Sequence, residues 1–374
     1  MLLALGLGLL GGALLTELVV RGLWSRLAPP LEGADDPGRQ VVDPLSRGEA
    51  LSEALAREAA FSPTSELLLR PDQRDKCHAL DPDGVPRLIP GSQVDRPRGD
   101  GTDARYLIRV DPQGCRGPPR GPPEPGALRV LAIGDSMTFG PGVEDGETWC
   151  AALEGLLAAA LARPVRVDNG GIVGLGPREE LHRLEALLPA LEPDLVVVQF
   201  TVANDALDAL RWREAPRRLE PDPDFAQELR DSAWLTNPLA RWSRAYRWVA
   251  WNLGRHALRY RLMSTPAALD RAAGLIARMR DAAAPRPFAV LIAPTVGQVE
   301  GSRADRWIDT EAINRGIAER LRARGIPCLD PLPQLRARAR GGESLYIPID
   351  RHWNADGHRA VATLLVPFLR DLVR

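Results

Sequence analysis

Lysine is almost missing from this 374-residue chain: of its 48 basic residues, only Lys76 is not arginine. Alanine, proline and glycine are abundant instead, and the bias reads as one of composition rather than of function. The 49 acidic residues balance the arginines to a net charge of −1, which argues against a nucleic-acid surface. Cysteine is scarce too: Cys77, Cys115, Cys150 and Cys328 never form a Cys-x-x-Cys pair, which leaves a zinc site without support. Cys77 and Cys115 fall in an irregular N-terminal region, where a disulfide between them is open if the region lies outside the cytoplasm. Cys150 and Cys328 sit on apolar helix and strand patterns and read as buried thiols. Histidine occurs five times, and two of the five, His352 and His358, lie within nine residues of each other.

Charge is absent from the first 16 residues, and the apolar pattern continues to Trp24, interrupted by Glu17 and Arg21. The run is long enough to span a bilayer with those two residues near the interface. The alternative is a cleaved signal peptide, but a basic leading region, an Ala-x-Ala site and a lipobox cysteine are all missing. We read 1–24 as a single-pass anchor. Arg21 and Arg26 after the run favour keeping the following chain in the cytoplasm.

The most informative stretch is Ala127 to Gly140. Leu128–Ile133 is an unbroken apolar run that suits a central parallel strand covered on both faces. It ends in Gly134-Asp135-Ser136, and Gly134 is expected to let the chain turn sharply. A serine at the carboxyl edge of a parallel sheet sits where open α/β sheets build their sites. A plain turn with Asp135 and Ser136 as helix caps is the other reading. The closing signal is Asp350-Arg351-His352-Trp353-Asn354-Ala355-Asp356-Gly357-His358. A serine hydroxyl needs a base, and the base needs a third group to fix its tautomer. His352 and Asp350 can supply both if the fold brings them to Ser136. Asn354 also reads as the N-cap of a last helix over Ala355–Leu372. Between these signals lie a glycine-rich loop, Asn169 to Gly176, and a buried strand followed by Thr201-Val202-Ala203-Asn204-Asp205. A loop glycine and an asparagine amide are the donors that an ester oxyanion requires.

Taken in order, Ser136, Gly174, Asn204 and His352 resemble the four signature blocks of the SGNH/GDSL hydrolases. Gly-Asp-Ser-x-Thr-x-Gly at 134–140 and Asp-x-His-x-Asn-x-x-Gly-His at 350–358 are the specific parts, and the resemblance runs from Leu128 to the C-terminus. It implies Ser136 as nucleophile, His352 as base and Asp350 as its orienter. It also implies an oxyanion hole made of the Ser136 N–H, the Gly174 N–H and the Asn204 side chain, with no metal and no cofactor. Two positions depart from the usual pattern. Val202 stands where the third block often has glycine, and Ile349 stands three before His352 where many members place the acid. The Asp-x-His spacing resembles the alginate O-acetyltransferase-like branch. With the family comes an extracytoplasmic catalytic domain, against the charge rule at the anchor.

The rest of the chain alternates strand and helix. Strands are expected at Leu128–Ile133, Val165–Asp168, Leu195–Phe200, Phe288–Ala293 and Pro327–Leu329. Helices are expected at Ala151–Ala162, Arg178–Leu188, Ala267–Ala284 and Thr310–Arg324. Such alternation implies an α/β fold, a doubly wound five-stranded parallel sheet, and the flavodoxin-like order 2-1-3-4-5 fits the family. We divide the chain into the anchor 1–24, a proline-rich and partly ordered extension 25–127, and a catalytic domain 128–374. The extension offers a helix-like piece at Ser46–Ala60 and a strand-like run at Arg105–Val110. Its Arg98-Gly99-Asp100 is ordinary for so arginine-rich a sequence. A helical insertion at 206–263 carries five of the nine tryptophans and reads as packing on the core or as a lid beside the site. The expected activity is a serine esterase acting on an ester-bearing small molecule, lipid or glycan. The alternatives are an O-acyltransferase acting on a cell-envelope polysaccharide and a non-catalytic glycan-binding envelope protein.

Overall fold

The computed structural model describes residues 77–82, 84–211, 243, 260–301 and 308–373. The chain divides into two compact units, and nearly all described residues belong to the larger one, Asp72–Leu210, Glu214–Leu219 and Leu262–Arg374. The proposed anchor 1–24, the helix-like Ser46–Ala60 and nearly all of the tryptophan-rich insertion lie outside the described residues. Among the described residues no helix is long and apolar enough to cross a membrane.

The larger unit is built on five parallel strands: β5 (Leu128–Ile133), β6 (Val165–Asn169), β7 (Leu195–Thr201), β8 (Phe288–Ala293) and β9 (Cys328–Leu329). They stand in the order β6-β5-β7-β8-β9, which is 2-1-3-4-5 in chain order. Val130 faces Val167 on one side and Leu195 on the other, so β5 is a central strand. Every residue of β7 and β8 is buried, which accounts for their continuous apolar runs.

The main helices are α2 (Trp149–Leu161), α3 (Pro177–Leu191), α5 (Pro266–Ala283), α7 (Ala312–Ala323) and α9 (Ala355–Leu372), with shorter α1 (Ser136–Phe139), α4 (Asp205–Arg211), α6 (Val296–Glu300) and α8 (Leu332–Arg340). The chain leaves β5 toward one edge and β6 toward the other, so right-handed crossovers put successive helices on opposite faces. Helix α9 packs on α2, and α5 packs on both α3 and α7. Trp149, Leu153 and Leu157 of α2 meet Val361, Leu365 and Leu369 of α9 over Val130, Val197 and Leu291 of the sheet. Asn354 caps α9 by accepting from the Gly357 N–H at 2.9 Å.

The extension is more ordered than its composition suggests. Two antiparallel hairpins, β1 (His78–Leu80) with β2 (Pro86–Leu88) and β3 (Gln93–Pro97) with β4 (Arg105–Arg109), precede the sheet. Leu88, Tyr106, Ile108 and Val110 share a small core with Phe139, Ile172 and Leu175 of the catalytic fold. Hairpins with strands of three to five residues cannot bury enough surface alone, and here they pack on Phe139, Ile172 and Leu175. The described cysteines form no disulfide, so the pairing of Cys77 with Cys115 is not made. Both thiols are buried: Cys77 joins the hairpin core with its Sγ 3.3 Å from His78 Nδ1, and burial pushes the Cys115 thiol up to about 12. Cys150 is buried as read, whereas Cys328 is only half-buried because β9 is a two-residue edge strand.

Candidate active site

Strand β5 delivers Ser136 to its carboxyl end. Gly134 does not adopt the left-handed conformation expected of a sharp turn. Its role is close approach: a methyl group there would collide with Thr138 Oγ1 and lie 2.6 Å from Gln199 Oε1. Asp135 is buried and caps α1, accepting from the Met137 N–H at 2.9 Å and from Thr201 Oγ1 at 2.9 Å. Thr138 Oγ1 donates to Gln199 Oε1 at 3.0 Å, and Gln199 Nε2 donates to Thr201 Oγ1, so a buried polar chain anchors the turn to β7. Ser136 is the first residue of α1, and its backbone N–H is among those that a helix start leaves without an intrahelical partner.

The loop before α9 brings the other two residues. His352 Nε2 lies 2.8 Å from Ser136 Oγ, across 216 residues of sequence. On the other side of the ring, Asp350 Oδ1 is in hydrogen-bond contact with His352 Nδ1. The two side chains are 28% and 25% exposed, so the pair opens to solvent. Arg351 between them has φ +69°, a left-handed conformation uncommon outside glycine. The loop is held by Ile347 N–H to His352 O at 2.8 Å, Arg351 N–H to Ile347 O at 2.9 Å, and a wholly buried Trp353. Ile349, three residues before His352, is 66% exposed.

The glycine loop lies against the turn that carries Ser136. Ile172 N–H donates to Gly134 O at 3.1 Å, and a methyl on Gly171 would sit 2.5 Å from the Phe139 nitrogen. Gly174 is half-buried at φ +80°. Asn204 follows β7, and its amide nitrogen faces three carboxylates: Asp208 at 3.0 Å, Asp205 at 3.1 Å and Asp135 at 3.4 Å. Val202, in the place of the usual glycine, is fully buried.

Three features escaped the sequence. The first is a set of acids behind the turn. Burial pushes Asp135 up, and it pushes Glu180 and Asp205 well up, where the charges of the neighbouring acids add to the effect. Burial raises Glu179 to about 7. Asp135 caps α1, while Glu179, Glu180 and Asp205 stand in the first turns of α3 and α4. The second is Arg116, a wholly buried guanidinium from the extension. It donates to Phe139 O, Gly140 O and Val143 O and pairs with Asp145 at 3.1 Å. The third is His358, wholly buried, with Nδ1 accepting from the Trp149 N–H at 3.1 Å. Among the described residues no group of His, Cys, Asp or Glu is arranged to hold a metal ion.

The model of the GDSL-like lipase/acylhydrolase family matches residues 132–360, more than half of the chain. The chain belongs to that family. Its members are hydrolases acting on esters, and both motifs that carried the resemblance fall inside the matched stretch. No curated protein matches the chain. Among solved structures, it is similar to a two-domain esterase active on acetylated mannans, with 18% identity, a TM-score of 0.41, and coverage of 66% of this chain and 50% of the other. It thus spans half the length of that esterase. It is also similar to LAE5, an α/β hydrolase from the metagenome of Lake Arreo in Spain, with 15% identity, a TM-score of 0.42 and coverage of 66% and 96%. A third is Axe2, an acetylxylan esterase from Geobacillus stearothermophilus, with 18% identity, a TM-score of 0.38 and coverage of 66% and 94%.

Proposed function

We propose that this protein is a serine esterase in which Ser136 attacks the ester carbonyl. The observation that carries the reading is the 2.8 Å contact between Ser136 Oγ and His352 Nε2, with Asp350 on the far side of the same ring. With the ring proton on Nδ1 and donated to Asp350, Nε2 is free to accept the hydroxyl proton. Ser136 Oγ then bonds to the carbonyl carbon, and His352 returns the proton to the departing alcohol. Water completes the cycle on the acyl-enzyme, with His352 again as base.

The developing oxyanion is assigned to the Ser136 N–H, the Gly174 N–H and the Asn204 amide. For Asn204 this requires the side chain to share its two amide hydrogens between the oxyanion and the carboxylates behind it. The substrate class is an ester on a small molecule, lipid or glycan. A second reading, O-acyl transfer to a polysaccharide hydroxyl, draws on the Asp-x-His spacing and differs only in the acceptor. Residues 1–24 are proposed as a membrane anchor, with the catalytic domain on the extracytoplasmic side. The test is a fluorophosphonate probe on the purified protein. Labelling of the wild type and its loss in Ser136→Ala is the expected result. Equal labelling of the two proteins, or none of the wild type, overturns the assignment.

A further inference from the structure

The hydrogen-bonding position of Asp350 is poorly secured by polar contacts. Among the described residues the His352 ring is the only hydrogen-bond partner of its carboxylate, and the side chain is 28% exposed. A carboxylate so placed is free to rotate toward solvent unless something blocks it. The block comes from the extension. The tip of the β3–β4 hairpin, residues 98–104, lies against the Asp350 side chain. A methyl group on Gly99 would sit 3.2 Å from Asp350 Oδ2 and 3.3 Å from its Cβ. At the same tip, a methyl on Gly101 would sit 3.0 Å from Ile349 Cδ1.

The tip has its own internal order. Arg98 N–H donates to Ala104 O at 2.8 Å, and Asp100 Oδ1 accepts from the Thr102 N–H at 2.9 Å and from its hydroxyl at 2.6 Å. The hairpin is also fixed to the segment after the nucleophile helix. Leu107 N–H donates to Glu144 at 3.1 Å, and Arg98 lies 3.6 Å from Glu147. One rigid piece of the extension therefore touches both halves of the site, the chain leaving Ser136 and the loop carrying Asp350.

We propose that this hairpin tip, through Gly99, is a positioning element of the catalytic site: a wall that holds the Asp350 carboxylate on the His352 ring. The inference rests on the reading of Asp350 as the orienter of His352. It gives the Arg98-Gly99-Asp100 stretch a role that its composition does not suggest, and it makes the extension part of the enzyme rather than a spacer.

The test compares two alanines with the same backbone demand. Gly99 has φ +73° and Gly91, in the same extension, has φ +75°, but a methyl at Gly91 meets nothing within 4 Å. Both substitutions strain the chain alike, and only Gly99→Ala presses on Asp350. The readouts are the second-order rate of fluorophosphonate labelling of Ser136 and the kcat and KM for a p-nitrophenyl ester, in the full chain.

Gly99→Ala is expected to slow labelling and lower kcat roughly several-fold, since a methyl at 3.2 Å shifts the carboxylate by less than the misplacement of about 1 Å that costs a hundredfold. KM should stay unchanged, and Gly91→Ala should match the wild type. In an Asp350→Ala background Gly99→Ala should add nothing, because the group it displaces is gone. If Gly99→Ala fails to fold, Asp100→Ala loosens the tip without adding bulk. It should lower kcat several-fold in the wild type and not at all beside Asp350→Ala. Equal effects of Gly99→Ala and Gly91→Ala, or a Gly99→Ala loss that persists in full beside Asp350→Ala, overturn the proposal. Full activity of Asp350→Ala alone overturns the underlying triad reading instead.

Discussion

His358 should make the protein acid-labile by an amount that can be isolated. Its Nδ1 accepts from the Trp149 N–H at 3.1 Å, so the ring is neutral with its proton on Nε2, and Nε2 has no hydrogen-bond partner among the described residues. Burial first, then the nearby charge of Arg116 and the ring of His352, hold its pKa down at about 3 against an ordinary 6.5. The unfolded chain takes up a proton below pH 6.5 while the folded chain does not until about pH 3. The contribution is therefore complete above pH 6.5 and is lost as the pH falls toward 3. At 1.36 kcal/mol per unit, lowering the pH to 4 removes roughly 3 kcal/mol. The buried acids Asp135, Glu180 and Asp205 act with the opposite sign. Their raised values make the folded state bind protons more readily, so their share of stability grows as the pH falls from neutrality. A wild-type curve mixes the two effects, but a comparison with His358→Asn cancels the acids. Asparagine keeps an acceptor at the same number of bonds from Cβ and carries no titrating group. In urea unfolding at pH 7 and pH 4, the wild type should lose roughly 3 kcal/mol more than the variant between the two conditions. Parallel losses would refute the burial of a neutral histidine at this position.

His352→Ala should lower kcat about a thousandfold or more, and Asp350→Asn by a comparable or smaller factor, in a p-nitrophenyl ester assay. Retention of wild-type turnover by either variant contradicts the proposed roles. Asn204→Ala should lower kcat by roughly 10²–10³ with KM little changed, as expected for an oxyanion donor. A raised KM at constant kcat would make Asn204 a substrate-binding residue. Deleting residues 1–26 should give a soluble and active enzyme, whereas the full chain should stay with the membrane fraction through a high-salt wash, because apolar insertion is not screened by salt. Full-length protein in the soluble fraction with its first residues intact would refute the anchor.

The central elements were legible because their residues leave no choice. β5, β8 and α9 start and end where the apolar runs and the Asn354 cap place them, while β6 and β7 each extend one residue further than the apolar pattern does. The short helices were not legible. α8 is arginine-rich and buries only Leu332 and Leu335, too few apolar positions to show a helical period. Most of the extension's strands were equally hidden, since three- to five-residue strands among prolines and glycines carry little pattern of their own. At the candidate site, residue types and order singled out Ser136, His352 and Asp350, which the fold brings together. Nothing local could reveal that the Asn204 amide faces three carboxylates or that Arg116 closes the carboxyl end of the nucleophile helix. Asp205 and Asp208 are sequence neighbours of Asn204, but Asp135 lies 69 residues away and the Arg116 contacts span 23 to 27 residues, and only the fold creates these longer relations.

The two-residue spacing of acid and base has a structural consequence. A three-residue spacing gives an acid a full turn of chain in which to reach the ring. Here Asp350 must turn back across a single residue, and Arg351 takes the left-handed conformation between them. Such a residue costs of order 1–3 kcal/mol and persists only where its surroundings over-determine it. The surroundings here are two backbone bonds to Ile347 and His352, the buried Trp353 that follows, and the hairpin tip that faces Asp350 from the extension. The first three hold the backbone, but none of them restrains the Asp350 side chain. Besides its bond to the His352 ring, that side chain faces the hairpin tip proposed above as its wall, which comes from outside the stretch matched by the family model. On the proposed roles of Asp350, His352 and the hairpin tip, a compact loop with a strained centre depends on a wall that the matched stretch does not itself supply, which is why the extension should be kept in any protein used to measure the chemistry.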